Sequence, residues 1–127
     1  MQVLHTDHAP AHNRPVAQAV EAGGWIHVSA LFGADPTERA PADPRAEAEQ
    51  VFANLDAILG AASAGLADVV QVGIAMRNLQ QDRPVFNQVW AEQFGDHRPA
   101  RSAIQLPDFG RVGENARFMI AVTAYRG

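Results

Sequence analysis

Apolar positions repeat with a helical period in two stretches of the chain. After Asp43 and Pro44, which suit an N-cap and a first helical turn, apolar side chains return every three or four residues. We expect this helix to end near Gly65. A second helix is predicted over 82–94, with Pro84 in its first turn. The two apolar stripes contain Val51, Phe52, Leu55, Ile58, Leu59 and Ala62 in the first helix and Val85, Phe86, Val89, Trp90 and Phe94 in the second.

Five shorter stretches alternate between apolar and polar residues or are apolar throughout, which predicts β-strands. Gly23-Gly24 lies between the first two and predicts a hairpin. In the second strand, Ile26, Val28 and Ala30 are expected to share one face. The third is apolar on both sides, which indicates an interior strand covered on both faces. The predicted strands are 17–21, 25–32, 68–76, 101–106 and 114–125.

The element order is therefore β-β-α-β-α-β-β, preceded by an irregular polar arm over residues 1–15. Two helices on one mixed sheet predict a single two-layer α+β domain over residues 1–127. The helices leave the other sheet face bare, and an apolar bare face favours self-association. The side chains expected on that face are Val69, Ala75, Met119 and Ala121.

Composition narrows the chemistry that is available. The chain has no cysteine, and all ten of its basic side chains are arginine. Thiolate catalysis, a lysine Schiff base and Walker A phosphate binding are therefore excluded. The formal net charge of -4 argues against a nucleic-acid or membrane partner. Because no segment is typical of a signal peptide or a membrane span, we expect a cytoplasmic location.

Three histidines near the start have a spacing that would place them along one helical face. They are His5, His8 and His12. Pro10 lies among them and argues against a helix there, and neither cysteine nor a carboxylate cluster accompanies them. We therefore expect a solvated arm, and neither a metal site nor a cofactor.

One short motif carries a family resemblance. The stretch Pro99-Ala100-Arg101-Ser102 resembles the P-A-R-S signature of the RidA/YjgF family. Four more segments resemble that family in the same order, so that the similarity extends from about Pro15 to the end of the chain. These segments are Val28-Ser29-Ala30 in the second strand, 49–55 in the first helix, 68–72 at the start of the third strand, and 86–90 with Phe94 in the second helix.

The resemblance implies a two-layer chorismate-mutase-like fold of the bacillus type, a homotrimer, and three clefts between subunits. It also implies hydrolysis of 2-imino or enamine acids to 2-keto acids and ammonia, without a cofactor. The partner of each cleft would be a small imino or keto carboxylate. Water is the nucleophile in such a reaction, so no nucleophilic side chain is needed.

Arg101 is the residue in the motif with the clearest chemical role. Its planar guanidinium is able to hold a carboxylate through two parallel hydrogen bonds. From its position alone an ordinary surface arginine is the favoured interpretation, whereas the resemblance assigns it the substrate carboxylate. The resemblance also assigns a role to the backbone of Ala103, two residues later, in aiming a water molecule.

The chain departs from the family pattern at two positions of the expected cleft. Met119 stands where the family's deaminases usually have a glutamate, and Val16 stands where a tyrosine often lines the pocket. Methionine does not accept a proton, and both changes make the expected cleft more apolar. They favour a larger or more apolar ligand, a slower deaminase, or a protein that only binds its ligand. Glu114 at the start of the same strand would compensate, unless it is an exposed loop carboxylate.

Two further polar residues match family positions, and each has two interpretations. Ser29 would contact the substrate or would satisfy a neighbouring backbone group. Asn87 would lie near the cleft or would tie its helix to a loop.

Three functions are therefore compatible with the sequence. The first is an enamine/imine deaminase. The second is a non-catalytic trimer that binds small carboxylates, which Met119 and Val16 favour. The third is a deaminase or hydrolase specific to one pathway of nitrogen-compound catabolism.

Overall fold

The computed structural model describes residues 1–11, 16–35, 39–110 and 115–127. In these parts of the chain two helices pack on one face of a six-stranded sheet, which confirms the predicted α+β class. The strands lie in the order β1-β2-β3-β6-β4-β5; only β4 and β5 run parallel. The elements are β1 Gln2–Leu4, β2 Ala19–Ala22, β3 Trp25–Phe32, α1 Pro44–Gly60, β4 Val69–Met76, α2 Leu79–Phe94, β5 Ala100–Gln105 and β6 Phe118–Tyr125.

The first helix begins as its sequence predicts. The Asp43 carboxylate accepts a hydrogen bond from the N–H of Ala46 at 3.1 Å, and Pro44 occupies the first helical position. The helix ends at Gly60, earlier than the predicted Gly65. A short 3-10 helix, Leu66–Asp68, fills the interval before β4.

The second helix begins at Leu79, three residues before the predicted start. Pro84 is therefore its sixth residue and lies beyond the first turn, contrary to the prediction. Because proline has no N–H, the carbonyl of Gln80 loses its usual intrahelical partner. The apolar side of α2 still packs on the sheet, since Phe86 and Val89 are fully buried.

A buried carboxylate joins α1 to the start of β6. Glu47 is fully buried, and its Oε2 accepts hydrogen bonds from the N–H groups of Arg117 and Phe118 at 2.6 and 3.2 Å. Its Oε1 accepts one from the Arg117 guanidinium at 2.8 Å. Burial raises the pKa of Glu47 above its ordinary value, and the bonds from Arg117 and Phe118 oppose that rise.

Gly33, just after β3, lets this helix approach the sheet. A methyl group at its Cα would lie 2.3 Å from the carbonyl oxygen of Glu47. Glycine is required here because of that close approach.

Two irregularities in the sheet overturn predicted face assignments. The pairing of β3 with β6 shifts between Val28 and Leu31, as in a β-bulge, so Ala30 is exposed and Leu31 enters the core. A similar shift in β4 places Val69 in the core, 1% exposed, and leaves Val70 exposed. The predictions that Ala30 shares the face of Ile26 and Val28, and that Val69 lies on the bare face, are therefore wrong.

The N-terminal arm is not irregular throughout, which corrects the prediction for residues 1–15. Gln2–Leu4 forms β1 and pairs antiparallel with β2, with Leu4 buried. Its three residues carry too little pattern to predict a strand; the open edge of β2 supplies the hydrogen bonds that order them.

The sheet face away from the helices keeps several large apolar side chains in solvent. Trp25 and Tyr125 lie opposite each other on β3 and β6, with ring centroids 4.7 Å apart and each more than 40% exposed. Val70 and Ile104 are exposed to a similar extent on β4 and β5. We call these four residues the open-face patch.

Within the described ranges, no helix is long and apolar enough to cross a membrane.

Candidate functional site

Arg101 lies on β5, which is an edge strand of the sheet. In the parallel register Arg101 pairs with Val72, and Ala103 pairs with Ile74. Val72 and Ile74 are buried toward the helices, so the side chains of Arg101 and Ala103 lie on the helix side of the sheet. Arg101 is half-buried, next to α2 rather than in open solvent.

The Arg101 guanidinium stacks on an aromatic ring of α2. Its central carbon is 4.8 Å from the centroid of the Trp90 ring, which is within the range of a cation–π interaction. This contact favours one orientation of the planar group, because the ring face attracts the cation. Such an arginine is prepared to bind a planar anion with little loss of side-chain freedom.

Trp90 is itself held by an aromatic cluster. Its ring lies 4.5 Å from Phe94, 6.4 Å from Phe86 and 6.3 Å from Phe52 between centroids. Aromatic pairs at these separations stabilise each other beyond their burial. The apolar stripe of α2 therefore does two things, since one side of Trp90 packs on the core and the other supports Arg101.

Electrostatics at Arg101 favour an anionic ligand. Burial is the larger cause that lowers its pKa from the ordinary value, and repulsion from Arg83 lowers it further. Arginine stays charged in spite of such a shift. In the described part of the chain, neither guanidinium forms an ion pair with a carboxylate. A bound anion would offer these two guanidinium groups an opposite charge.

Asn87 lies on the same helix as these aromatic residues and is exposed. It is four residues after Arg83 and three before Trp90, and this spacing places all three on one side of α2. The tie from a helix to a loop that was one interpretation of Asn87 is made instead by Asn54 of α1. Its amide donates to the carbonyls of Phe32 and Ala34 at 2.9 and 2.8 Å.

Ser29 lies at the bulge of β3. Its hydroxyl donates a 2.6 Å hydrogen bond to the carbonyl of Ala17, and its N–H donates to the carbonyl of Gln18. The second interpretation, in which Ser29 satisfies a neighbouring backbone group, describes its contacts in the single chain.

Met119 and Val16 do not lie beside Arg101 within one chain. Met119 is on β6, opposite Phe32 and Ala75, and its side chain is on the sheet face away from the helices. Val16 precedes β2 and is 52% exposed. Glu114, the expected compensating carboxylate, lies outside the described residues. Among the described residues, a single protomer therefore brings Arg101, Ala103 and Trp90 together, whereas Val16, Ser29 and Met119 lie elsewhere.

Trp90 and Arg83 are the neighbours of Arg101 that sequence reasoning missed. The signal was present in their spacing, since Arg83, Asn87 and Trp90 recur at intervals of four and three residues along α2. Nothing in that spacing shows that β5 lies against this side of the helix.

The described ranges hold no group of three or more His, Asp or Glu side chains arranged to bind a metal ion. His12 is outside these ranges. His97, to which the sequence assigned no role, donates a 2.7 Å hydrogen bond from Nε2 to the carbonyl of Val69.

Comparison with known proteins gives a consistent result. A family model described as endoribonuclease L-PSP matches residues 6–126. A RutC family protein of Pyrococcus horikoshii is 32% identical over 127 residues and covers 98% of each chain. A 2-iminobutanoate/2-iminopropanoate deaminase of Dermatophagoides farinae is 35% identical over 116 residues, covering 87% of this chain and 90% of the relative.

The likeness extends to three dimensions. The crystal structure of RidA from a Psychrobacter species matches this chain with a TM-score of 0.91 and 33% identity. The match covers 99% of this chain and 100% of the other. The two-layer arrangement of strands and helices is therefore shared along the whole length.

Proposed function

Because this chain belongs to the endoribonuclease L-PSP family, which includes RidA proteins, we propose that it hydrolyses 2-imino and enamine acids to 2-keto acids and ammonia. The observation that carries the proposal is the half-buried Arg101 guanidinium, stacked on Trp90 and without a carboxylate partner among the described residues. The deaminase name of a relative 35% identical to this chain supports the same reaction.

The proposed reaction needs little from the protein beyond positioning. Arg101 binds the substrate carboxylate and so places the C=N carbon beside β5. Water adds to that carbon, forming the C–O bond, and the C–N bond breaks as ammonia leaves after proton transfer to nitrogen. The backbone carbonyl of Ala103 is assigned to hold the water, and since a backbone group does this, alanine is sufficient at this position.

We further propose that the working site forms between subunits of a homotrimer. Ser29, Val16 and Met119 lie apart from Arg101 within one chain, so only another copy would bring them to it. The open-face patch supports such assembly, because exposed aromatic and aliphatic side chains on one sheet favour burial against a partner. Analytical ultracentrifugation at micromolar concentration tests this, and a monomer there would contradict the intersubunit site.

The net charge of the chain also bears on whether nucleic acid is a partner. The word endoribonuclease describes the family, and a chain with a net charge of -4 has no general attraction for RNA. We propose a small cytoplasmic enzyme whose only other partner is its own copies.

The experiment supplies imines of alanine and of 2-aminobutanoate in situ from an amino acid oxidase with catalase, and measures keto-acid release with and without protein. Arg101→Ala is expected to lower kcat/KM by roughly 100-fold, since a charge-assisted carboxylate contact contributes about 1.5–3 kcal/mol. Arg101→Lys should recover only part of the lost kcat/KM, because lysine does not form two parallel hydrogen bonds to a carboxylate.

Arg98→Ala is the matched control, since it removes an exposed arginine three residues earlier. We expect Arg98→Ala to keep the wild-type rate. No acceleration by the wild-type protein would contradict the enzymatic proposal, and an Arg101→Ala variant with full rate would contradict the role of Arg101.

One observation favours a second function. Met119 offers no proton-transferring group, and a binding-only trimer needs none. Keto acids that raise the melting temperature of the protein, together with no turnover of any imine, would identify this function.

A further inference from the structure

One side of α2 carries two polar side chains and the tryptophan that contacts Arg101. Arg83, Asn87 and Trp90 follow at intervals of four and three residues, so they lie on one side of the helix. Trp90 places this side next to Arg101, because the Arg101 guanidinium lies over its ring at 4.8 Å. Arg83 and Asn87 are both exposed, and no hydrogen bond or ion pair within the described ranges occupies their donor groups.

The second guanidinium is near enough to act on the first. Repulsion from Arg83 contributes to the lowered pKa of Arg101, and no carboxylate of the described ranges contributes an opposing attraction. Two neighbouring cations without a counter-charge are unfavourable while the site is empty. A ligand with one carboxylate offers an opposite charge to one guanidinium, whereas a ligand with two carboxylates is able to offer one to each.

We propose that this site selects 2-imino acids with a second carboxylate in the side chain, with Arg101 binding the carboxylate next to the imine and Arg83 binding the other. The imines of acidic amino acids have this chemistry. The inference rests on the proposed function, and it adds Arg83 as a specificity-determining residue and Asn87 as a neutral donor between the two cations. The reaction is otherwise the same: water adds at the C=N carbon, ammonia leaves, and the side-chain carboxylate is unchanged.

A binding experiment tests the ligand class without turnover. Calorimetric titration of the assembled protein with 2-oxoglutarate and with 2-oxobutanoate compares a keto acid of two carboxylates with one of a single carboxylate. We expect 2-oxoglutarate to bind roughly tenfold more tightly, which corresponds to about 1.4 kcal/mol. Arg83→Gln should bring the ratio of the two dissociation constants close to one, since glutamine keeps N–H donors but has no charge.

Arg126→Gln is the control for net charge, because it removes an exposed arginine beyond the end of β6. The ratio should stay at its wild-type value in this variant. Inorganic phosphate serves as a third probe. If phosphate binds as tightly as 2-oxoglutarate, the site recognises only negative charge and the dicarboxylate assignment is overturned.

A kinetic experiment separates this inference from the proposed function. The imines of glutamate and alanine are supplied in situ, and kcat/KM is compared for wild type and Arg83→Gln. A preference for the glutamate imine that is lost in Arg83→Gln supports the inference. Hydrolysis with an unchanged preference in Arg83→Gln would overturn the inference and leave the proposed function standing. Preferential dicarboxylate binding without hydrolysis would overturn the proposed function and leave the ligand class standing.

Discussion

The Arg101 guanidinium lies over the Trp90 ring, with its central carbon 4.8 Å from the ring centroid. This contact joins the edge strand β5 to α2, and it gives a half-buried cation a fixed orientation without a carboxylate partner in the described chain. Arg101 is thereby preorganised at little entropic cost, and a bound carboxylate would complete its hydrogen bonding.

We expect Trp90→Leu to raise KM roughly fivefold while changing kcat much less. The stacking contributes about 1 kcal/mol to the orientation of Arg101, and this orientation matters for binding the carboxylate. Trp90→Phe keeps an aromatic face, so its KM should stay close to the wild-type value. Steady-state kinetics on the imines described above measure both constants. If the phenylalanine and leucine variants have the same KM, ring stacking does not position Arg101.

The free energy of unfolding should fall with rising pH because of Glu47. Its pKa is raised in the folded state, so between the ordinary value of 4.5 and the raised value the unfolded chain has lost a proton that the folded chain retains. The contribution of Glu47 to the free energy of unfolding is therefore fully present below pH 4.5. It is lost as pH rises through the raised pKa of the folded state. Within that window the slope is about 1.4 kcal/mol per pH unit.

Urea unfolding of wild type and Glu47→Gln across this pH range measures the effect as a difference. The difference in free energy, wild type minus variant, should decrease with rising pH, since glutamine does not titrate. Asp56→Asn, at an exposed carboxylate of the same helix, controls for the rest of the chain. A difference that increases with pH would contradict a raised pKa of Glu47.

Gly33→Ala should reduce the free energy of unfolding by at least about 2 kcal/mol. The added methyl group would lie 2.3 Å from the carbonyl oxygen of Glu47, so α1 would have to move away from β3. Gly60→Ala is the matched control, because nothing lies within 4 Å of a methyl group there and α1 tolerates alanine at its end. That variant should gain about 0.5 kcal/mol in urea unfolding. Equal effects at both positions would refute the close approach.

Met119→Glu is expected to raise kcat for imine hydrolysis at least tenfold, if Met119 reaches the cleft from a neighbouring subunit as proposed. A carboxylate there would hold the attacking water and accept its proton, a contribution of roughly 100-fold or more in other enzymes. Met119→Gln matches the size and polarity without the proton acceptor and should give no such gain. The pH dependence of kcat distinguishes the two variants. Equal rates for them would place Met119 away from the reacting water.

The helices and most strands were predictable because burial requires their periodicity. Asp43 and Pro44 begin α1, and β4 pairs on both sides as an interior strand, as its sequence indicated. The bulges of β3 and β4 were not predictable, because an extra residue in a strand changes the face of each residue after it without leaving a gap in the pattern. Ala30 and Val69 were therefore assigned to the wrong faces.

The candidate site, like the fold, was predictable only in part. The motif around Arg101 and its resemblance to a family identified the arginine, but neither indicates the atoms that surround it. The apolar stripe of α2 predicts that Trp90 is a core residue, and nothing in the sequence distinguishes Arg83 from an ordinary surface arginine. Both belong to the site because α2 packs against β5, and that contact depends on the crossover between β4 and β5.

By itself the sequence determined the α+β layers, the available side chains and the position of the candidate arginine, because local periodicity and residue chemistry are properties of short segments. Only the tertiary structure decided the bulged registers, the pairing of β1 and the stacking of Arg101 on Trp90. Each of these depends on contacts between segments distant in the chain, and those contacts form when a sheet edge or an aromatic face is offered by another element.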